Sequence, residues 1–171
     1  MEYISLDSQP YYADCRPLAE GLGFLLVELR VTRRGADTHV SAVITKPVAS
    51  AQTDTEQPRN AYMSVSVDDC AQVHRLLLPR LEALLNTDNI SMDVSSPGME
   101  RTIKNAAEFA LFAGRPVRLW HTAVKDWIYG IITESGDAAL SIRPLESAEQ
   151  AGSAVQTIPY TEIAKAKLLH L

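Results

Sequence analysis

From Phe24 to Val31 the residues Leu25, Val27, Leu29 and Val31 alternate with polar Glu28 and Arg30, the period-two rhythm of a half-buried strand. Arg33 to Asp37, with Gly35, makes a turn, and Thr38 to Thr45 returns with Val40, Ala42 and Ile44 aligned. A β-hairpin is predicted. Ahead of it, Tyr11, Cys15, Leu18 and Leu22 share one helical face. Asp7 and Ser8 are candidate N-caps and Pro10 a candidate first residue. Pro17 predicts a kink or a restart, and Gly21 and Gly23 the end of this helix. After Pro47 to Asn60, which has no apolar period and reads as an exposed loop, Ser66-Val67-Asp68-Asp69 resembles a capping box. The helix it opens carries Cys70, Val73, Leu77, Leu81 and Leu84 as a seam, with Pro79 inside at a cost of about 3 kcal/mol unless the helix bends. Asn86 to Asn89 closes it, and Ile90, Met92 and Val94 form a third strand. The order α-β-β-α-β predicts an α+β domain with helices on one sheet face.

The texture then changes. Asn105 to Ala113 reads as a short helix carrying Phe109 and Phe112, ended by Gly114. Five short strands follow, at Val117 to Trp120, Trp127 to Glu134, Ala138 to Arg143, Val155 to Ile158 and Ile163 to Leu169. That density suits a small closed or nearly closed β-barrel. In its last strand Ala164, Ala166 and Leu168 are expected inside and Lys165 and Lys167 outside. One or more of the aromatics, Trp127 or Tyr129, is expected to help fill the interior. Between the halves lies Ser95-Ser96-Pro97-Gly98, where proline presets φ and glycine accepts the positive φ of a type II turn. This places the domain boundary between 97 and 98, giving domains 1–97 and 98–171 with the turn as their joint.

Composition adds two constraints. At 46% hydrophobic and 22% charged the 171-residue chain is an ordinary globular sequence, without an apolar run of membrane-spanning length or a leader pattern at its start. A cytoplasmic protein is expected. Before Gly98 there are 8 Lys and Arg against 13 Asp and Glu, and from Gly98 onward 8 against 8, so the net charge of −5 belongs to the first half. That half disfavours a non-specific grip on phosphate and favours a basic protein partner.

Candidate chemistry is sparse. Cys70 and His74 stand one helical turn apart, within mutual reach, but Cys70 lies on the apolar seam, where a thiol is inert. Neither zinc-site spacing, a phosphate-binding glycine loop nor a Gly-x-Ser-x-Gly elbow is present. No metal and no cofactor are expected. Asp68 and Asp69 are explained by capping. The positive charge of the second half, Arg101, Lys104, Arg115, Arg118, Lys125, Arg143, Lys165 and Lys167, is interleaved with Trp120, Trp127 and Tyr129. Small barrels bind nucleic acid through such mixed faces.

Between Val67 and Trp120 the landmarks are Asp68-Asp69-Cys70, then Asp93-Val94-Ser95-Ser96-Pro97-Gly98 followed by Arg101, then Phe112-x-Gly114-Arg115-x-Val117. Together these resemble the ribosome maturation factor RimP family. Weaker likeness extends over Gly23 to Val31, Trp127 to Gly130 and Ile163-Ala164-Lys165-Ala166. The sequence departs from the family pattern in its long Pro47 to Asn60 segment, in Met99-Glu100 where Leu-Asp is commoner, in Ile103 where proline is common, and in an extended Leu145 to Ala154.

The resemblance implies an N-terminal α/β domain and a C-terminal small barrel of the Sm or SH3 type. It also implies a non-enzymatic role in maturing the small (30S) ribosomal subunit, with small-subunit ribosomal protein twelve as a partner; ribosomal RNA is expected as a further contact from the interleaved cations and aromatics of the second half. The candidate contacts are Arg101, Lys104, Arg115, Arg118, Lys165 and Lys167, with Arg101 foremost. Two other functions compete: an Sm-like module acting on small RNAs outside the ribosome, and an enzyme using Cys70 with His74.

Overall fold

The computed structural model describes residues 1–48, 64–98, 100–145 and 154–169. Beyond Val48 the predicted loop at Pro47 to Asn60 lies outside the described residues, as does most of Leu145 to Ala154. Among the described residues the chain is α+β, with one sheet of three strands and one of six. No helix there is long and apolar enough to cross a membrane. The described residues form two compact units, one from residues 5–47 and 64–97, the other from residues 1–4, 48 and the described part of 98–169.

The first unit contains α1 (Tyr12–Gly21), β1 (Leu25–Arg34), β2 (Asp37–Thr45), α2 (Val67–Leu85) and β3 (Ile90–Ser95). Its sheet runs β1-β2-β3, antiparallel across the hairpin and parallel between β2 and β3. Val40, Ala42 and Ile44 are fully buried, in a core shared with Cys15, Ala19, Val73, Leu77 and Leu81. The capping box forms as the sequence predicts: Asp69 N–H donates to Ser66 Oγ at 3.1 Å and Ser66 N–H to Asp69 Oδ2 at 2.8 Å. Lys46 Nζ lies 2.8 Å from Asp69 Oδ2 and 5.7 Å from the centre of the Phe24 ring. One lysine thus ties the end of the hairpin to the start of α2.

Several expectations need correction. Pro10 does not open the first helix; Leu6–Ser8 forms a 3-10 turn and α1 starts after Tyr11, which adopts a left-handed φ of 64°. The buried face of α1 is therefore Tyr12, Cys15 and Ala19, whereas Leu22 is 40% exposed. Pro17 sits inside α1, which does not restart there, and Pro79 lies inside α2 as expected. Each removes one i to i−4 bond, and burial of the helix face holds the remainder. Leu85 replaces Leu84 in the α2 seam, extending the spacing of four from Val73. In β1, Leu26 opposes Ile44 and Glu28 opposes Val43, so Val27 is the extra residue of a bulge and the expected alternation breaks there.

The second unit holds β4 (Thr102–Ile103), a 3-10 helix (Ala106–Phe112), β5 (Pro116–His121), β6 (Asp126–Ser135), β7 (Ala139–Pro144), β8 (Gln156–Pro159) and β9 (Ile163–Leu168). The strand order is β4-β9-β5-β6-β7-β8. Five strands were expected and β4 adds a sixth. Among the described residues no ladder joins β4 to β8, so of the closed or nearly closed barrel expected, full closure is not found. Phe109, Phe112, Leu119, Ile132, Leu140 and Ile142 fill one side of it. Gly130 is buried on that side, where a Cβ would lie 2.9 Å from both the Arg143 carbonyl oxygen and Ile142 Cδ1. In β9, His121 faces Ile163 while Trp120 faces Lys165, so Ala164 is the extra residue. It is exposed rather than inside, and Ile163, Ala166 and Leu168 are the buried set.

Residues 1–4 belong to this second unit and not to the first. The Met1 amino group donates to the carbonyls of Tyr160 and Ile163, and Ala106 N–H donates to the Glu2 carbonyl at 2.9 Å. The Asn105 side chain exchanges two bonds with the Ile4 backbone. Tyr3 stacks on Tyr160, which stacks on Phe109.

The Lys46 contact makes the first unit sensitive to acid. The hydrogen bond from Lys46, then that from Ser66, lowers the Asp69 carboxyl from 3.8 to about 2. A depressed carboxyl stabilises the fold above its unfolded value and loses that contribution as pH falls through the folded one. Urea midpoints should therefore drop between pH 4 and pH 2 less steeply in Asp69→Asn than in the parent chain. Parallel midpoint curves would remove Asp69 from the acid response.

Candidate nucleic-acid interface

The faces of the second sheet follow from its ladders, because residues directly opposite one another point the same way. Val117 and Leu119 of β5 are buried, so Arg118 and Trp120 point outward. Arg118 opposes Lys167 on one side and Tyr129 on the other, while Trp120 opposes Lys165 and Trp127. Two rows therefore cross the outward face of β9, β5 and β6: Lys167-Arg118-Tyr129 and Lys165-Trp120-Trp127. Thr102 extends the first row on β4. Arg143 stands beside Ile131 on β7 and is exposed.

Within this face Trp120 and Trp127 meet edge-on, 5.5 Å between centroids and 74° between planes. The Arg118 guanidinium carbon lies 5.1 Å from the centre of the Trp127 ring. Its Nη2 is 3.7 Å from Glu100 Oε2, a loose pair with a carboxylate that is 66% exposed. Arg118 Nε is buried without a hydrogen-bond partner among the described residues. Tyr129, at 43%, is the most open of the three aromatics.

The six candidate contacts thus separate into two groups. Arg118, Lys165 and Lys167 share the outward face. The other three do not join them. Thr102 points outward, so Arg101 and Ile103 point in, and Arg101 Nε and Nη2 each lie 2.9 Å from Glu108 Oε2. Those side chains are 12% and 6% exposed, which makes Arg101 half of a buried pair in its own unit. Lys104 is exposed past the end of β4, and its N–H donates to Glu108 Oε1 at 3.4 Å. Arg115 lies over the Phe112 ring at 5.9 Å.

Trp127 and Tyr129 are not interior residues. Gly130 and Ile132 occupy the inward positions of β6, which sends both aromatics out. The signal was present in the sequence, since an inward glycine in a strand marks close backbone approach and fixes the parity of its neighbours. Ser95 ends β3, opposite Val43. Ser96 and Pro97 lead from it to Gly98, which takes φ 73°, the left-handed value its position requires.

The surroundings of both cysteines disfavour the thiolate. Burial, then Asp69, raises the Cys70 thiol, and burial, then Asp14, pushes Cys15 up to about 11. Either shift lowers the thiolate fraction at neutral pH. Among the described residues no three His, Cys, Asp or Glu side chains are grouped to hold a metal ion.

The model of the RimP N-terminal domain matches residues 14–100, just over half of the chain. The chain belongs to the RimP family. Similar curated relatives share the name "Ribosome maturation factor RimP". The Borrelia hermsii protein is 26% identical over 131 residues, covering 77% of this chain and 79% of the relative. That of Borrelia recurrentis is 27% identical over 113 residues, 66% and 68% of the two chains. That of Borrelia turicatae is 25% identical over 114 residues, 67% and 68%. The family match spans the whole of β1 through β3 and both bounds of α2.

Arg101→Ala should destabilise the second unit by about 3–5 kcal/mol, because it leaves Glu108 buried and unpaired. The double change Arg101→Met with Glu108→Leu should recover most of that loss in denaturant melts. An Arg101→Ala protein of parental stability would show that the pair is not structural. Native-state alkylation at neutral pH should leave Cys15 unmodified and label Cys70 more slowly than an unfolded control; rapid labelling of Cys70 would reopen the thiol-enzyme reading.

Proposed function

We propose that this chain is an assembly factor that holds immature small (30S) ribosomal subunits and catalyses no reaction of its own. The observation that carries the reading is the family match over residues 14–100, together with relatives named as ribosome maturation factors. Domains 1–97 and 98–171, with residues 1–4 packed in the second unit, divide the work, joined through Ser95-Ser96-Pro97-Gly98. The first, an α-β-β-α-β domain with 8 basic against 13 acidic residues before Gly98, suits a basic ribosomal protein, with small-subunit ribosomal protein twelve as the partner. The second is a small barrel of the Sm or SH3 type, left open between β4 and β8; in chain order its five longer strands lie last-first-second-third-fourth across the sheet. Its outward face of Arg118, Lys165 and Lys167 meets ribosomal RNA. The protein works in the cytoplasm, where subunits are assembled.

Action on small RNAs outside the ribosome is the second reading, favoured by the cations and aromatics of that same face. Cells lacking the gene, grown under stress, should accumulate small-subunit precursors and show excess free large subunits on sucrose gradients. RNA crosslinked to the protein should be mainly small-subunit ribosomal RNA. A normal gradient profile would overturn the assembly role, and crosslinks dominated by other small RNAs would transfer the argument to the second reading.

A further inference from the structure

We infer that the outward face of β9, β5 and β6 binds an unpaired RNA segment by stacking, and that Glu100 occupies a position otherwise taken by a phosphate. This rests on the ribosomal-RNA part of the proposed function and specifies the form of RNA recognised. Tyr129 and Trp127 are two residues apart on one face of β6, so their Cα atoms are separated by about 6.6 Å. Paired bases rise only about 3.4 Å per step along each strand. Bases lying on successive rings must therefore be splayed, which an unpaired strand allows and a duplex does not.

The cations are placed to hold the linking phosphates. Lys167 and Arg118 lie one strand apart in the Tyr129 row, and Lys165 lies in the Trp120-Trp127 row, strands being about 4.8 Å apart. Among the described residues no carboxylate pairs with Lys165 or Lys167. Arg118 differs. Its guanidinium covers part of Trp127, keeps an unpartnered Nε, and is approached by Glu100 at the margin of bonding distance. An exposed carboxylate 3.7 Å from an arginine is poorly placed for a strong pair, but its charge is that of a phosphate oxygen. RNA would displace it, and Arg118 would gain a bidentate phosphate partner through its terminal nitrogens. An acidic peptide could meet the lysines, but it would make no use of the open Tyr129 ring.

Fluorescence anisotropy with the full-length protein tests this, using a labelled short oligouridylate and a hairpin duplex of equal length. The oligouridylate should bind at least several-fold tighter than the hairpin. Tyr129→Ala should weaken it about five-fold or more, whereas Tyr129→Phe keeps the ring and should bind like the parent. Lys165→Ala should reduce the slope of log affinity against log salt by about 0.7. Glu100→Gln should tighten binding. Equal affinity for the hairpin, or an unchanged affinity in Tyr129→Ala with the parental circular dichroism, would overturn the inference. Co-sedimentation with immature small subunits separates it from the assembly reading. If the parent protein sediments with subunits and fails to bind oligouridylate, this surface is overturned and the assembly role stands. If it binds oligouridylate but never sediments with subunits, the assembly role falls and the surface stands.

Discussion

The register of β6 between β5 and β7 is the constraint on which the second unit depends. Gly130 faces inward, and the Arg143 carbonyl and Ile142 side chain occupy the space a Cβ would need. Strand side chains alternate with period two, so this one contact decides the direction of the neighbours from Asp126 to Ile132, as far as the register shift between Ile132 and Glu134. Trp127 and Tyr129 go out because Gly130 and Ile132 go in. The antiparallel ladders then carry the choice to β5 and, past the extra residue Ala164, to β9. An outward basic and aromatic face and an apolar core are therefore two outcomes of one register. A slip of β6 by a single residue would put Ile131 or Thr133 where Ile132 now packs and turn Trp127 and Tyr129 inward.

The first unit is held by a different device. Its sheet has one face against α1 and α2 and one face polar, with Thr32, His39 and Ser91 in one cross-strand row and Arg30, Ser41 and Asp93 in the next. Much of its negative charge is used locally: Asp7 with Arg16, Asp14 with Arg80, Glu28 with Arg30 and Asp69 with Lys46. What is left to attract a basic partner is the surplus, not the whole acidic count. Asp68 opens α2 without taking part in the capping box, and Glu82 and Asp88 lie at its far end. A basic protein would meet a mixed surface with a negative bias, which favours recognition by arrangement over simple attraction.

Most of the element order was legible in the sequence because alternation and caps are local. The hairpin, the Ser66 box and the five longer strands of the second unit all follow from residues within one turn or one strand of each other. The errors have non-local causes. Bulges at Val27 and Ala164 arise from pairing with a partner strand, so no period within β1 or β9 reveals them. The first four residues join the second unit through Asn105 and Tyr160, more than a hundred positions away. Arg101 stands out in the sequence as a candidate contact because its partner Glu108 lies across a turn from β4, a two-residue strand too short to carry a periodic signal. Lys165, Lys167 and Arg118 did come together, since cations on outward strand positions have few other places to go.

Both helices of the first unit carry an interior proline, Pro17 in α1 and Pro79 in α2. Helix nucleation is already unfavourable for short segments, and each proline removes a bond and weakens propagation. As excised peptides, α1 and α2 would have little helical content in water. Their order comes from docking on the β1-β2-β3 sheet, while β3 can pair with β2 only after α2 has carried the chain back beside it. Secondary structure and packing in this unit therefore form together. Its folding transition should be a single cooperative event with no helical precursor.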